Sequence, residues 1–275
     1  LAPVIPPSMN LIVYATVAQV PVADVFVAGI VPGLAMAAVF ALIIAWLGWK
    51  HNLPRVPSQP ARRRLLAAWH ALPALVVPLV VVGSILTGVA TPTESAAIAS
   101  LAAVLIGMFV YRELRFADLP QVFVRTAATS GAVLFLVAAA QIIGWVVTFA
   151  GLPAQAAEWI QDVASSPLAF LILLNILLLL LGTVLEPIPA IILVAPVLLP
   201  VATDVYGIDS VTFGVILCLN LTLGLLTPPV GAGLYTASLL TGVSAERLSR
   251  LLVPFFAGVI AILAGMTVIA ALNAG

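Results

Sequence analysis

Two proline pairs are the residues of this chain best placed to do chemistry. Pro6-Pro7 stands near the start, and Thr227-Pro228-Pro229-Val230-Gly231 near the end. Each proline lacks a backbone N–H and clashes with the carbonyl one turn back, so a pair interrupts a helix. The interruption frees carbonyls of the preceding turn, and such oxygens suit a hard cation. The half-helix that resumes afterwards points its N–H groups and positive dipole end into the gap, which favours an anion. Gly224, Gly231 and Gly233 let other backbone approach. The competing reading is a packing kink without a ligand.

The surroundings of the two pairs repeat. Asp24 and Pro32 follow Pro6, Glu246 and Pro254 follow Pro228, and 228 − 6, 246 − 24 and 254 − 32 all give 222. Matched helix breaks in corresponding positions of an apolar sequence point to a transporter's binding site.

A third segment faces these breaks. Residues 167–185 are apolar, Glu186-Pro187-Ile188-Pro189 interrupts, and 190–203 is apolar again with Pro196 and Pro200. The second piece is short, so the pattern predicts a re-entrant hairpin over 167–203. Its tip brings Gly182, Thr183 and Glu186 to the second break. With Gly224, Thr227, Pro228, Val230 and Gly231 they form the expected cation site; Pro6, Pro7, Pro187, Pro228 and Pro229 mark the helix breaks. Glu186 is the one acid placed inside the apolar spans. It either caps the second arm or acts directly on ion or substrate. Thr183 either supplies a hydroxyl or bonds to its own helix. Ser8 and Asn10, just past the first break, are the symmetric counterparts. They join Asn220 and Thr227 as candidate substrate contacts. Asn220 reads equally well as a hydrogen-bonded link between helices, as does Gln141. Glu94 reads as part of a helix N-terminus capped by Thr93.

The elements that must hold these residues are membrane helices. The chain has 275 residues, is 64% hydrophobic and 7% charged, and has a mean hydropathy of +1.28. A soluble domain carries about 25% charged residues. The runs are long enough to span a bilayer and lack strand alternation, which predicts an all-α integral membrane protein. Expected spans are 26–48, 69–88, 94–111, 130–149 and 251–272, with a broken span at 211–241 and a half-span at 8–20. Residues 1–48 form the second half of a first repeat, 49–68 a cytoplasmic basic loop, and 69–275 the second repeat. Within the latter, 69–128 holds scaffold spans.

Zero net charge gives no reason to expect a nucleic-acid partner, and the single Cys218 excludes an internal disulfide. His51 and His70 have no Cys or acid at ligand spacing, so no metal cofactor is expected. A glycine-rich nucleotide loop is absent. An intramembrane enzyme needs a nucleophile–base pair, and apart from the span ends, where His70 and Glu94 stand, the bilayer interior holds one acid and no His.

Lysine and arginine orient the chain. Five of the ten lie in 50–64, three are Arg112, Arg115 and Arg125, and the last two are Arg247 and Arg250. The expected spans put all three groups on one face, which must be cytoplasmic. The chain then runs outward after Pro6-Pro7 and inward after Pro228-Pro229, so the repeats are inverted.

The sequence resembles the large membrane subunit of TRAP transporters (tripartite ATP-independent periplasmic transporters). The matching segments are Gly29-Ile30-Val31-Pro32-Gly33, Ala90-Thr91-Pro92-Thr93-Glu94, Gly182-Thr183-Val184-Leu185-Glu186-Pro187, Gly207-Ile208-Asp209 and, above all, 220–231. The resemblance implies an elevator-type, sodium-coupled secondary importer of small organic anions, such as C4-dicarboxylates or sialic acids, in a bacterial inner membrane. It also implies a small four-helix membrane subunit and a periplasmic solute-binding protein as partners. Another elevator-type carboxylate transporter family is the nearest alternative, and an intramembrane enzyme a remoter one. The opening at Leu1, beside the first break, leads us to expect that the first hairpin precedes this sequence.

Single-cysteine labelling in a Cys218→Ala background should reach 50–66, 112–128 and 242–250 from the cytoplasm, and 150–166 and 204–210 from the periplasm. Labelling of 204–210 from the cytoplasm alone would overturn both the hairpin and the inverted symmetry.

Overall fold

The computed structural model describes residues 3–52, 60–228 and 231–274. Among them every regular element is helical. The helices are α1 (Met9–Ala18), α2 (Val22–Lys50), α3 (Ala61–Leu86), α4 (Pro92–Leu105), α5 (Leu119–Phe149), α6 (Leu152–Val163), α7 (Pro167–Val184), α8 (Pro187–Pro200), α9 (Ser210–Gly224), α10 (Ala232–Thr241) and α11 (Ala245–Asn273). Wider, π-type turns extend α4 over Ile106–Val110 and α8 over Val201–Val205. Among the described residues, seven helical stretches are long and apolar enough to cross a membrane.

Several helices begin earlier than the sequence predicts, α3 and α5 by the widest margin. α3 starts at Ala61, so Arg62, Arg63 and Arg64 lie in its first turn and not in a loop. Pro60 stands just outside, where its restricted φ and missing donor are harmless to helix entry, and arginine is a good helix former. α5 starts at Leu119, which makes Arg125 helical.

The chain forms two compact units, one comprising the chain up to Trp46 and from Leu136 onward, the other Leu47–Phe135. In the second, α3 and α4 make an antiparallel pair. Ser84 and Ser95 hydrogen-bond through their hydroxyls at 2.8 Å beside the connecting turn. At the far end the Tyr111 hydroxyl donates to the His70 carbonyl at 2.8 Å. Arg62–Arg64 and Arg112 therefore lie toward the same end of this pair. The α4 N-terminus is closed by Thr91 and not by Thr93. The Thr91 hydroxyl accepts from the Glu94 N–H at 3.3 Å, and the Glu94 carboxylate takes the Thr91 N–H at 2.8 Å. Pro92, one residue after Thr91, lacks the donor that a helix start leaves unpaired, which favours this earlier start.

In the first unit α7 and α8 form a helical hairpin. Phe170, near the start of α7, stacks on Tyr206, just past the end of the second arm, with centroids 4.6 Å apart. The Tyr206 hydroxyl donates to the Ala164 carbonyl at 2.7 Å. The chain thus returns to the level from which it left, turning at Leu185-Glu186. The first arm is an 18-residue helix, and the second is a 14-residue α-helix that π-type turns extend to Val205, close to the 190–203 of the sequence reading. Pro196 and Pro200 lie inside that arm, within α8, without ending it.

α9 runs alongside α7 in the same direction: Asn220 meets Asn175, and farther along Gly224 meets Gly182. Every residue from Phe213 to Leu221 is buried, so α9 is covered on all sides. α1 packs against α8 and α9. Its fully buried Tyr14 lies beside Phe213 and donates to the Ser210 carbonyl at 2.5 Å.

The repeat seen in the prolines reappears in the helices. α1 and α10 are 10 residues each, α2 and α11 are 29 each, and 232 − 9, 241 − 18, 245 − 22 and 273 − 50 all give 223.

Tyr14 ties α1 to α9, binding across 196 residues of sequence. Tyr14→Ala should lower stability by about 3–5 kcal/mol, as deletion of a buried aromatic does. Tyr14→Phe, which loses the hydroxyl bond alone, should cost about 1 kcal/mol. Thermal unfolding in detergent checks both; equal losses would refute the packing role of the ring.

Candidate functional site: the hairpin tip and the second helix break

α9 ends in a tightening turn. The Leu225 N–H bonds to Leu221 at 3.1 Å, Leu226 to Leu223 at 3.1 Å and Thr227 to Gly224 at 2.9 Å. Pro228 follows in the break, while Pro229 and Val230 lie outside the described residues. The chain re-enters a helix through Gly231, whose φ of 46° is left-handed and favours glycine.

The α7 tip lies directly against this break. A Cβ added at Gly224 would stand 2.6 Å from the Gly182 Cα, so the two backbones touch with no room for a side chain. This approach lets the Gly231 N–H donate to the Thr183 carbonyl at 3.0 Å. The structure therefore gathers Gly182, Thr183, Gly224, Thr227 and Gly231, five of the eight residues expected to form the cation site. The Thr183 hydroxyl donates to Leu180 at 2.7 Å and the Thr227 hydroxyl to Leu223 at 2.9 Å. Both oxygens keep lone pairs for a cation. The donors offered here are neutral carbonyl and hydroxyl oxygens. Among the described residues no group of His, Cys, Asp and Glu has the spacing for a transition metal.

Two expectations are corrected. Glu186 occupies the N-cap position of α8, but its side chain makes no cap bond and is exposed. Pro187, at the first helical position, removes one of the donors a cap would serve. The N–H groups around the start of α10 are also less available to an anion than the sequence suggests. Gly231 gives its N–H to Thr183, and Gly233 gives its own to Leu225 at 3.1 Å. The orphaned carbonyls of the break are the nearest acceptors, and they take these donors first.

The first break is finished differently. Ser8, 1% exposed, caps α1 by accepting from the Leu11 N–H at 3.4 Å, and donates to the Pro3 carbonyl at 2.5 Å. Pro6 and Pro7 lie outside the helix. Gly29 and Gly33 of α2 lie against Val4, Ile5 and Pro6, which accounts for the Gly-Ile-Val-Pro-Gly segment. Asn10 is buried, and its side-chain nitrogen has no partner among the described residues. No hydrogen bond among the described residues joins Ser8 or Asn10 to Asn220 or Thr227.

Asn220 links helices. Its side-chain amide donates to the Asn175 carbonyl at 2.9 Å and to the Asn175 side-chain oxygen at 2.8 Å. Asn175 donates in turn to Thr267 of α11 at 2.8 Å, and Thr267 to Leu263 at 2.7 Å. Asn175 escaped the sequence analysis, although it stands alone among leucines and isoleucines from 171 to 181. Beside this chain of bonds lies an apolar cavity of about 350 Å³ walled by Ile172, Leu179, Leu223 and Ala264 among others.

Known proteins resemble this chain over most of its length. The family model described as "Tripartite ATP-independent periplasmic transporter, DctM component" matches residues 1–272. The C4-dicarboxylate TRAP transporter large permease protein DctM of Pseudomonas aeruginosa is 34% identical over 91% of this chain and 58% of its own length. The sialic acid TRAP transporter large permease protein SiaM of Vibrio cholerae is 35% identical over 93% of this chain and 61% of its own. The isethionate TRAP transporter permease protein DctMQ of Oleidesulfovibrio alaskensis is 37% identical over 94% of this chain and 41% of its own. The chain thus spans about six-tenths or less of the length of these relatives.

Because only backbone fits between Gly182 and Gly224, Gly224→Ala should lower stability by about 1–3 kcal/mol, the usual range for overpacking. Ser238→Ala, which loses a bond to Val243 at the other end of α10, should cost about 1 kcal/mol. Thermal unfolding compares them, and an unchanged melting temperature for Gly224→Ala would contradict the contact.

Proposed function

Since this chain belongs to the DctM family of tripartite ATP-independent periplasmic transporters, we propose that it forms the ion-coupled core of a secondary importer of small organic anions. The family's named members are transporter permeases, which sets the intramembrane-enzyme alternative aside. Family membership and the seven apolar helices make the chain a multi-pass protein of the bacterial inner membrane.

The contact of the α7 tip with the break after α9 carries the proposal. Carbonyl and hydroxyl oxygens of Gly182, Thr183, Gly224 and Thr227 would hold a sodium ion between two segments that are remote in sequence. Pro228, Pro229, Val230 and Gly231 keep the break open, and Glu186, exposed at the tip, adds negative charge nearby. Sodium would thus stabilise the closed junction, and the substrate carboxylate would bind beside it. Ser8, Asn10, Asn220 and Thr227 are the candidate substrate contacts. In this reading the α7–α8 hairpin is re-entrant, and α10 completes the span that α9 begins. The two inverted repeats move the site across the membrane in an elevator motion. A small four-helix membrane subunit and a periplasmic solute-binding protein complete the transporter. The relatives' names make C4-dicarboxylates and sialic acids the first substrates to try.

Uptake by the complete transporter should require sodium. Replacing Pro228 and Pro229 by Ala should restore helical bonding and raise the sodium concentration needed for half-maximal uptake. Full uptake in sodium-free buffer with a proton gradient alone would refute the ion assignment.

A further inference from the structure

We infer that Asn175 is the positioning residue of the junction between hairpin tip and helix break, an inference that rests on the sodium reading above. Asn175 lies two helical turns before Gly182 on α7, and Asn220 lies one turn before Gly224 on α9. Residues separated by whole turns share a helix face, so the Asn175–Asn220 bonds and the Gly182–Gly224 contact lie along one seam. Leucine-rich surfaces set no strong register by themselves, because a one-turn slip brings similar side chains together. The bonds from Asn220 do set it. One side-chain amide reaches two acceptors of the same residue, the carbonyl and the side-chain oxygen of Asn175, and this fixes both the height and the rotation of α9 on α7.

The pair is oriented from outside as well. Asn175 commits its own N–H to Thr267, which turns its oxygen toward Asn220. Among the described residues, no other side chain–side chain hydrogen bond joins α7 to α9. A slip of α9 toward the start of α7 would set Gly224 against Leu178 or Leu179, separate Thr183 from the Gly231 N–H and scatter the oxygens that hold the ion. Asn175, Asn220 and Thr267 also line the neighbouring apolar cavity, and the Asn220 side-chain oxygen is buried without a hydrogen-bond partner among the described residues.

The test is thermal unfolding of the purified protein across a sodium chloride series, with choline chloride holding ionic strength constant. It compares wild type with Asn175→Leu, Asn220→Ser and Thr267→Val. A ligand that binds only the folded state raises the melting temperature with concentration, so the series yields both basal stability and the sodium requirement. All three variants should lower the melting temperature in choline. Asn175→Leu and Asn220→Ser should also raise the apparent sodium Kd, fitted to the rise of melting temperature with concentration, by about five- to tenfold, the factor one net hydrogen bond commonly carries. Thr267→Val, which removes the outer bond that orients the pair but leaves the Asn175–Asn220 link, should raise it by a smaller factor. Asn220→Ser breaks the same link from the other helix and decides the matter should Asn175→Leu not fold. An unchanged sodium requirement in the variants, with a lowered melting temperature, would overturn the positioning role alone. Absence of any sodium stabilisation in wild type would overturn the sodium reading and this inference with it.

Discussion

A backbone N–H or carbonyl left without a partner in hydrocarbon costs several kcal/mol, which is why lipid-exposed irregular backbone is not found at that depth. This protein breaks an apolar helical run after α9, at Pro228-Pro229, and so takes on that cost. The break is made tolerable by the approach of Gly182 to Gly224. Their missing side chains bring two backbones into contact, and the Gly231 N–H then reaches the Thr183 carbonyl. Turn bonds to Leu221, Leu223, Gly224 and Leu225 absorb much of the remainder. The same geometry that covers the break also gathers the oxygens suited to a cation, so stability and candidate function share one set of atoms.

α9 is the element through which this constraint acts. It is apolar on every face, and a helix of that kind belongs at the centre of a packed unit. Apolar packing supplies attraction but little register, so polar bonds set its position. Tyr14 reaches the Ser210 carbonyl at its first residue, and Asn220 reaches Asn175 one turn before its end. Interhelical hydrogen bonds in membranes are individually modest, about 0.6–2 kcal/mol. Their value here is directional: each selects one alignment among several that leucine would accept.

The two halves of the repeat are alike in length and unlike in finish. α1 and α10 match, as do α2 and α11. Yet Ser8 caps the first half-helix with its hydroxyl, whereas a left-handed Gly231 opens the second without a side-chain cap. One residue, Val230, separates Pro229 from Gly231, while Ser8 directly follows Pro7. The seat of α2 against Val4, Ile5 and Pro6 has its own glycines, Gly29 and Gly33. The corresponding positions 222 residues later are Leu251 and Phe255. Similar helices therefore carry different junctions.

Much of this was legible in the sequence because it depends on short-range physics. Proline forbids helical bonding wherever it stands in pairs, so both breaks and the repeat between them could be read directly. Long apolar runs had to be helices, and the turn at Glu186-Pro187 marked the hairpin tip. Single prolines did not end the helix: Pro196 and Pro200 lie within the second arm, where the sequence reading had placed them. The partners of polar groups were not legible. Thr91 closes α4 in place of Thr93, Glu186 makes no cap bond, and Gly231 and Gly233 give their donors to Thr183 and Leu225. Asn175 gave no motif at all, and it became visible only when Asn220 and Thr267, 45 and 92 residues away, came within bonding distance. Steric rules for proline and glycine are written into the chain locally, whereas a hydrogen bond belongs to whichever group the fold brings across from it.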